Sequence, residues 1–229
     1  MMLERPAADV WKPLVTVLVG IALVLAGPLP GARRGVRAAS SAPTPAEIVQ
    51  RVVNARSDAR LASADMAIAM YSHMPGPKPP LCTFTATLRV DRGRPIVQLG
   101  TRSPGLQCAM AESRGLRPLF SDLEPLDMFV AKYQLSVIDQ KVVNGRTYYH
   151  VKGIARDRKR DPRAFVAWVD YDRGIIPENT LNYSWADMDT TQTYDRLNNA
   201  FVLAQEVLFV KRYNVSLKIT YSNFRFNRP

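Results

Sequence analysis

The chain has 229 residues, of which 47% are apolar, so one domain with a sizeable core is the expectation. The formal charge of +11 favours anionic surfaces but does not by itself mean nucleic acid. Residues 1–42 hold five basic and two acidic side chains, and the remaining 26 against 18 keep residues 43–229 basic as well.

Residues 14–26 (LVTVLVGIALVLA) form an uncharged, mostly apolar run after Arg5 and Lys12. A spanning helix needs about 20 such residues, whereas the core of an export signal needs roughly 7–15. Small-x-small cleavage options end at Ala26, Ala32, Ala38 and Ala42. Arg33, Arg34 and Arg37 follow the run, where positive charge opposes export, so a retained membrane anchor stands beside a cleaved signal. The expected plan is an export segment with a small-residue linker over 1–42 and a single domain over 43–229. That domain is expected in the periplasm or another extracytoplasmic space, free or held at the membrane by an uncleaved signal.

Thr44, Pro45 and Glu47 predict a helix start: an N-cap threonine, proline at N1 and the acid that completes a capping box. Ile48, Val49, Val52 and Val53 then recur at helical spacing, with Gln50, Arg51 and Asn54 opposite. After Leu61 the period changes to two, with Met66, Ile68 and Met70 in phase. A stiff proline loop at 75–80 (PGPKPP) precedes the clearest strand, 82–90, whose Cys82, Phe84, Ala86, Leu88 and Val90 share one face. Residues 96–99 continue as a strand, and Ser103, Pro104 and Gly105 turn the chain. Residues 118–131 (PLFSDLEPLDMFVA) break the strand rhythm. Leu123, Leu126, Phe129 and Val130 follow helical spacing there, Ser121 to Glu124 can cap the start, and Pro125 interrupts the segment.

Asn144 and Gly145 are the strongest turn signal, because both central residues of a type I′ hairpin need positive φ. They join strand-like runs at 134–139 and 146–154. A charged loop and a third run, 164–171, follow; the turn ending at Gly174 hands over to Ile175 and Ile176. Leu181, Tyr183 and Trp185 alternate with polar or small neighbours. Residues 201–213 are β-prone, and Val215, Leu217, Ile219 and Tyr221 alternate again. The total is about nine to eleven antiparallel strands.

Chemistry is sparse. The only histidines are His73 and His150, and GxSxG, SxxK and HExxH patterns are absent. No glycine-rich loop opens a helix, so no cofactor or metal is called for and a non-catalytic protein is expected. Cys82 and Cys108 invite a disulfide in an exported chain, yet a simple meander places a strand between them, so their pairing stays open. Arg156, Arg158, Lys159, Arg160 and Arg163 surround two aspartates at a hairpin tip, either as a solvated loop or as a contact for an anionic membrane or a membrane protein. Aromatic residues at nucleic-acid spacing are lacking there.

Several short stretches are carried in a familiar order: AEIVQRVVNA in the first helix, VNGRTYYHVKG at 143–153, AWVD at 167–170 and ITYSNFRFN at 219–227. In this order they resemble the LolA-like superfamily of lipoprotein carriers and sorting factors. The resemblance implies a half-open antiparallel β-barrel covered by short helices, with an apolar cavity for lipid or lipoprotein acyl chains. Arg89 falls on the polar face of its strand, so it does not match the family's lid-closing arginine. Phe84, Leu88, Leu181, Tyr183, Trp185, Leu217 and Ile219 are the predicted wall, each on the apolar side of an alternating run. Leu123, Leu126, Phe129 and Val130 are either core filler between strands or the predicted cover of that cavity. The other readings are a membrane-associated sensor or interaction module on the same fold, and a hydrolase with an unrecognised site.

Overall fold

A computed structural model describes residues 42–76, 78–91, 94–121, 123–197 and 199–227. The apolar run at 14–26 and the cleavage options before Ala42 lie outside the described residues.

The Asn144-Gly145 turn forms as the sequence requires, with φ of 51° and 72°, and joins β4 (Tyr133–Val143) to β5 (Arg146–Ala155). From that hairpin the chain meanders through β6 (Ala164–Asp170), β7 (Ile175–Asn182), β8 (Asp187–Leu197) and β9 (Ala200–Val210) to β10 (Val215–Phe226). The N-terminal strands β1 (Leu61–Tyr71), β2 (Cys82–Asp91) and β3 (Arg94–Arg102) complete one ten-stranded antiparallel sheet of order β3-β2-β1-β10-β9-β8-β7-β6-β5-β4. It does not close: β3 and β4 are its edges. This is the predicted half-open barrel.

That topology decides where the helices go. β3 and β4 are consecutive in sequence but lie at opposite edges, so residues 103–132 must cross the open side. They do so as α2 (Leu106–Ala111), a π-helical stretch (Glu112–Leu116), α3 (Arg117–Ser121) and α4 (Leu126–Ala131). Helix α1 (Pro45–Asp58) starts at the predicted capping box: Glu47 N–H donates to Thr44 Oγ1 at 3.3 Å and Thr44 N–H donates to Glu47 Oε2 at 2.7 Å.

Cys82 and Cys108 form a disulfide, with Cα atoms 5.6 Å apart. The objection from a meander fails because α2 folds back over the sheet instead of extending it. The main core sits between this covering segment and the neighbouring strands. Met66, Ile68 and Met70 on β1 face Ala86, Phe84 and Cys82 on one side and Tyr221, Ile219 and Leu217 on the other.

Three sequence expectations change, and two elements come without one. Residues 183–186 are a turn, not strand: Tyr183 N–H donates to Ala186 O at 3.0 Å, and the Asp161 carboxylate accepts from Ser184 N–H and Oγ at 2.8 and 2.6 Å. The alternation of Tyr183 and Trp185 is therefore a by-product of a turn held from a distant loop. Ser121 does not cap the following helix; it ends α3, and α4 begins after Pro125 without a side-chain cap. Strand β9 ends at Val210, and residues 211–213 form a 3-10 turn. Strand β8, DMDTTQTYDRL, and helix α2 had no expectation at all.

Candidate functional site

Helix α1 presents Ile48, Val52 and Arg56, one turn apart, to the concave face of the sheet. Ile48 and Val52 pack with Tyr149, Val151 and Val169 in a second, smaller core cluster. The helix is anchored from outside by Arg51, whose Nε and Nη2 donate to the carbonyls of Tyr171 and Asp172 at 3.3 and 3.1 Å. Gly174, at φ 67°, permits the close approach: a Cβ there would lie 2.5 Å from Ala55 Cβ and 2.9 Å from the Arg51 carbonyl.

Helix α4 is attached more lightly. It is six residues long, follows Pro125 and has no side-chain cap. Glu124, just before it, pairs with Lys132 and Arg160, and Arg160 Nε donates to Tyr133 Oη at 3.2 Å. The Arg160 guanidinium also lies over the rings of Phe129 and Tyr133. Arg160 is thus not part of a solvated tip. Its Nη2 contact with Glu124 and its Nε contact with Tyr133 turn it inward, while Arg156, Arg158, Lys159 and Arg163 stay exposed.

Between α1, α4 and strands β5–β8 lies a cavity of about 60 Å³. Its apolar lining comes from Val49 and Val52 on α1, Leu126, Phe129 and Val130 around α4, and inward residues such as Phe165, Ala167 and Leu181 on the sheet. Gly153 helps shape it. The Phe165 ring lies where a Cβ of Gly153 would be, 2.1 Å from the nearest ring carbon.

One end of the cavity is polar. Arg56, Asn179 and Gln192 line it, and a buried network continues behind them. Gln192 Nε2 donates to Glu206 Oε1 at 2.6 Å, and the Tyr194 hydroxyl donates to Gln192 Oε1 at 2.6 Å. Glu206 is completely buried, and Arg56 is 9% exposed. Arg56 Nη1, Asn179 Oδ1, Glu206 Oε2 and Tyr221 Oη have no hydrogen-bond partner among the described residues. Burial pushes the Glu206 carboxyl up to about 7, against the opposing pull of the Gln192 hydrogen bond and the Arg56 charge. Burial likewise raises the Tyr194 and Tyr221 phenols.

Of the predicted cover, Leu126, Phe129 and Val130 line this cavity, and Leu123 is buried in the main core. Of the predicted wall, Leu181 lines it; Phe84, Leu88, Tyr183, Leu217 and Ile219 are buried in the main core with Trp185 packed against them. Sequence reasoning missed Arg56, Asn179, Gln192 and Glu206. Arg56 carried a signal: it stands four residues after Val52 and seven after Val49, on the apolar stripe of an amphipathic helix. Neither histidine lines the cavity. His73 Nδ1 lies 2.9 Å from Ser72 Oγ, and His150 stacks on Trp168 with ring centroids 4.4 Å apart.

No family model and no curated protein sequence matches the chain. Solved structures do. A domain from Vibrio parahaemolyticus named for outer membrane lipoprotein sorting is similar at 11% identity and TM-score 0.57, over 79% of this chain and 91% of its own. A LolA superfamily protein from Nitrosomonas europaea is similar at 11% identity and TM-score 0.55, over 82% and 96%. A DUF1329 family protein from Desulfovibrio piger is similar at 12% identity and TM-score 0.56, over 82% and 94%. The chain has a LolA-like fold.

Proposed function

We propose that this protein is a non-catalytic, extracytoplasmic binding protein or carrier for lipid or lipoprotein acyl chains. The observation that carries the reading is the apolar cavity bounded by α4, a short helix with no cap, and by a firmly anchored α1. An acyl chain gains roughly 0.8 kcal/mol for each buried CH₂, so ten methylenes contribute about 8 kcal/mol toward the cost of immobilisation. That gain needs few directed contacts, which suits a lining of valine, leucine and phenylalanine.

The cavity volume of about 60 Å³ is far below the roughly 300 Å³ or more of pockets that enclose a ligand of acyl-chain size. Loading therefore requires α4 to move away from the sheet, which breaks the Glu124 pairs with Lys132 and Arg160. The exposed Arg156, Arg158, Lys159 and Arg163 lie on the β5–β6 loop that also carries Arg160, so an anionic membrane surface would meet the loop that holds α4.

Transfer of a fluorescent fatty acyl probe from vesicles tests this. Leu126→Asp and Phe129→Asp are expected to reduce uptake at least about tenfold while near-ultraviolet circular dichroism stays unchanged. Arg158→Glu with Lys159→Glu is expected to slow uptake from anionic vesicles and not from neutral ones. No uptake by the parent protein from either vesicle contradicts the reading.

A further inference from the structure

The proposed function leaves one part of the cavity unused, its polar end. Arg56 lines the cavity, is nine-tenths buried and keeps Nη1 without a hydrogen-bond partner among the described residues. The guanidinium already meets the Tyr194 hydroxyl, but a buried Nη1 left without an acceptor is costly, and a carboxylate is the acceptor it pairs with best. The opposite end offers no such site. Glu124, the other charged residue lining the cavity, is acidic and already neutralised by Lys132 and Arg160.

We propose that the cavity takes its ligand head-first: a fatty acid with a free carboxylate, seated on Arg56 at the C-terminal end of α1, its tail running along Val52 and Val49 toward Phe129 and Val130. The inference rests on the acyl-binding reading and narrows it. Acyl chains linked to a protein or a glycerol have their carboxyls tied up as amides or esters, and those neutral groups leave the Arg56 charge unmatched. A phosphate monoester carries up to two charges and would leave one of them against a single guanidinium. A free carboxylate balances it.

The groups around Arg56 agree with this assignment. From β7 comes Asn179, from β8 Gln192 and Tyr194, from β9 Glu206 and from β10 Tyr221. Glu206 is the one carboxylate among them, and its burial lifts it to about 7. In its protonated form Glu206 leaves the Arg56 charge to the ligand; ionised, it competes for that charge. Decanoate binding is therefore stronger at pH 6 than at pH 8, and Glu206→Gln flattens that difference.

Titration calorimetry of the full chain with decanoate, 1-decanol and decyltrimethylammonium tests the proposal without any variant. Decanoate is expected to bind at least about tenfold more tightly than decanol at pH 6, with the cationic probe weakest. Arg56→Met is expected to abolish the preference for decanoate while leaving decanol affinity within about twofold, and Arg56→Lys to restore part of it. Equal binding of decanoate and decanol by the parent protein overturns the head-first proposal and leaves the acyl-binding reading standing. Preference for the cationic probe does the same. Binding of none of the three overturns both. If Arg56→Met does not fold, the carboxyl resonance of bound [1-¹³C]decanoate decides: a carboxylate that stays ionised well below its free titration range supports contact with Arg56, and an unshifted titration overturns it.

Discussion

Beneath α2 and α3 the concave face of the sheet is filled, whereas beneath α1 and α4 it encloses a cavity. The filled half stacks Met66, Ile68, Phe84, Leu88 and Ile219 against Leu116, Leu119 and Phe120 and is tied by the Cys82–Cys108 disulfide. The other half sets a glycine, Gly153, beneath a phenylalanine ring and places Arg56 and Glu206 where the first half has leucine and methionine. Both halves grow from the same inward-outward alternation of strands. They differ in how the covering segment is held: by a covalent bond and large side chains on one side, by ion pairs and one short helix on the other. The first arrangement contributes stability, and the second keeps room.

The sharpest separation of the two halves comes from removing the covalent tie. Cys82→Ala with Cys108→Ala opens a 26-residue separation and is expected to lower unfolding free energy by about 2–5 kcal/mol in urea, with acyl uptake at low temperature unchanged. Lost uptake in a variant that remains folded would show that the filled half also shapes the cavity.

Glu206 provides the next test. Its folded value near 7 lies above the ordinary 4.5, so the folded state holds a proton more firmly than the unfolded chain. The contribution is fully present below about 4.5 and is lost as pH rises through about 7. Over that window the parent protein is expected to lose up to about 3 kcal/mol that Glu206→Gln does not lose. Urea unfolding at pH 5, 6, 7 and 8 checks it. Parallel curves for the two proteins would mean that the carboxyl is not desolvated as the structure has it.

A smaller effect is expected at Gly153. A methyl group there meets the Phe165 ring at 2.1 Å, so Gly153→Ala is expected to cost about 1–3 kcal/mol and to push the ring into the cavity. Acyl uptake would fall with it, whereas an equally destabilising change in the filled half, such as Leu88→Ala, would leave uptake intact.

How much of this was legible follows the range of the interactions. The Thr44–Glu47 capping box, the Asn144-Gly145 turn and the alternation of 82–90 are set by residues within a few positions of each other, and all three form as expected. The antiparallel meander followed from such elements, whereas the half-open barrel was implied by the resemblance to the LolA-like superfamily. Strand β8 was hidden because its threonines, aspartates and glutamine leave no apolar alternation, and it is held in place by pairing with β7 and β9. The turn at 183–186 depends on Asp161, more than twenty residues away. The polar end of the cavity was the least visible part. Glu206 lies in a β-prone run whose alternation is blurred, and only the topology brings it beside Gln192 and the Arg56 charge. The apolar face of Leu126, Phe129 and Val130 was nonetheless legible from helical spacing, because a short amphipathic helix must present that face to the sheet, and all three line the cavity.

Native mass spectrometry of the protein purified without detergent bears most directly on the central claim that the half beneath α4 is a lipid site. The account predicts a bound population shifted by one acyl-chain ligand per chain, released on activation and depleted in Phe129→Asp. Apo protein alone, still without bound ligand after incubation with a mixed fatty acid and lipid pool, would contradict it.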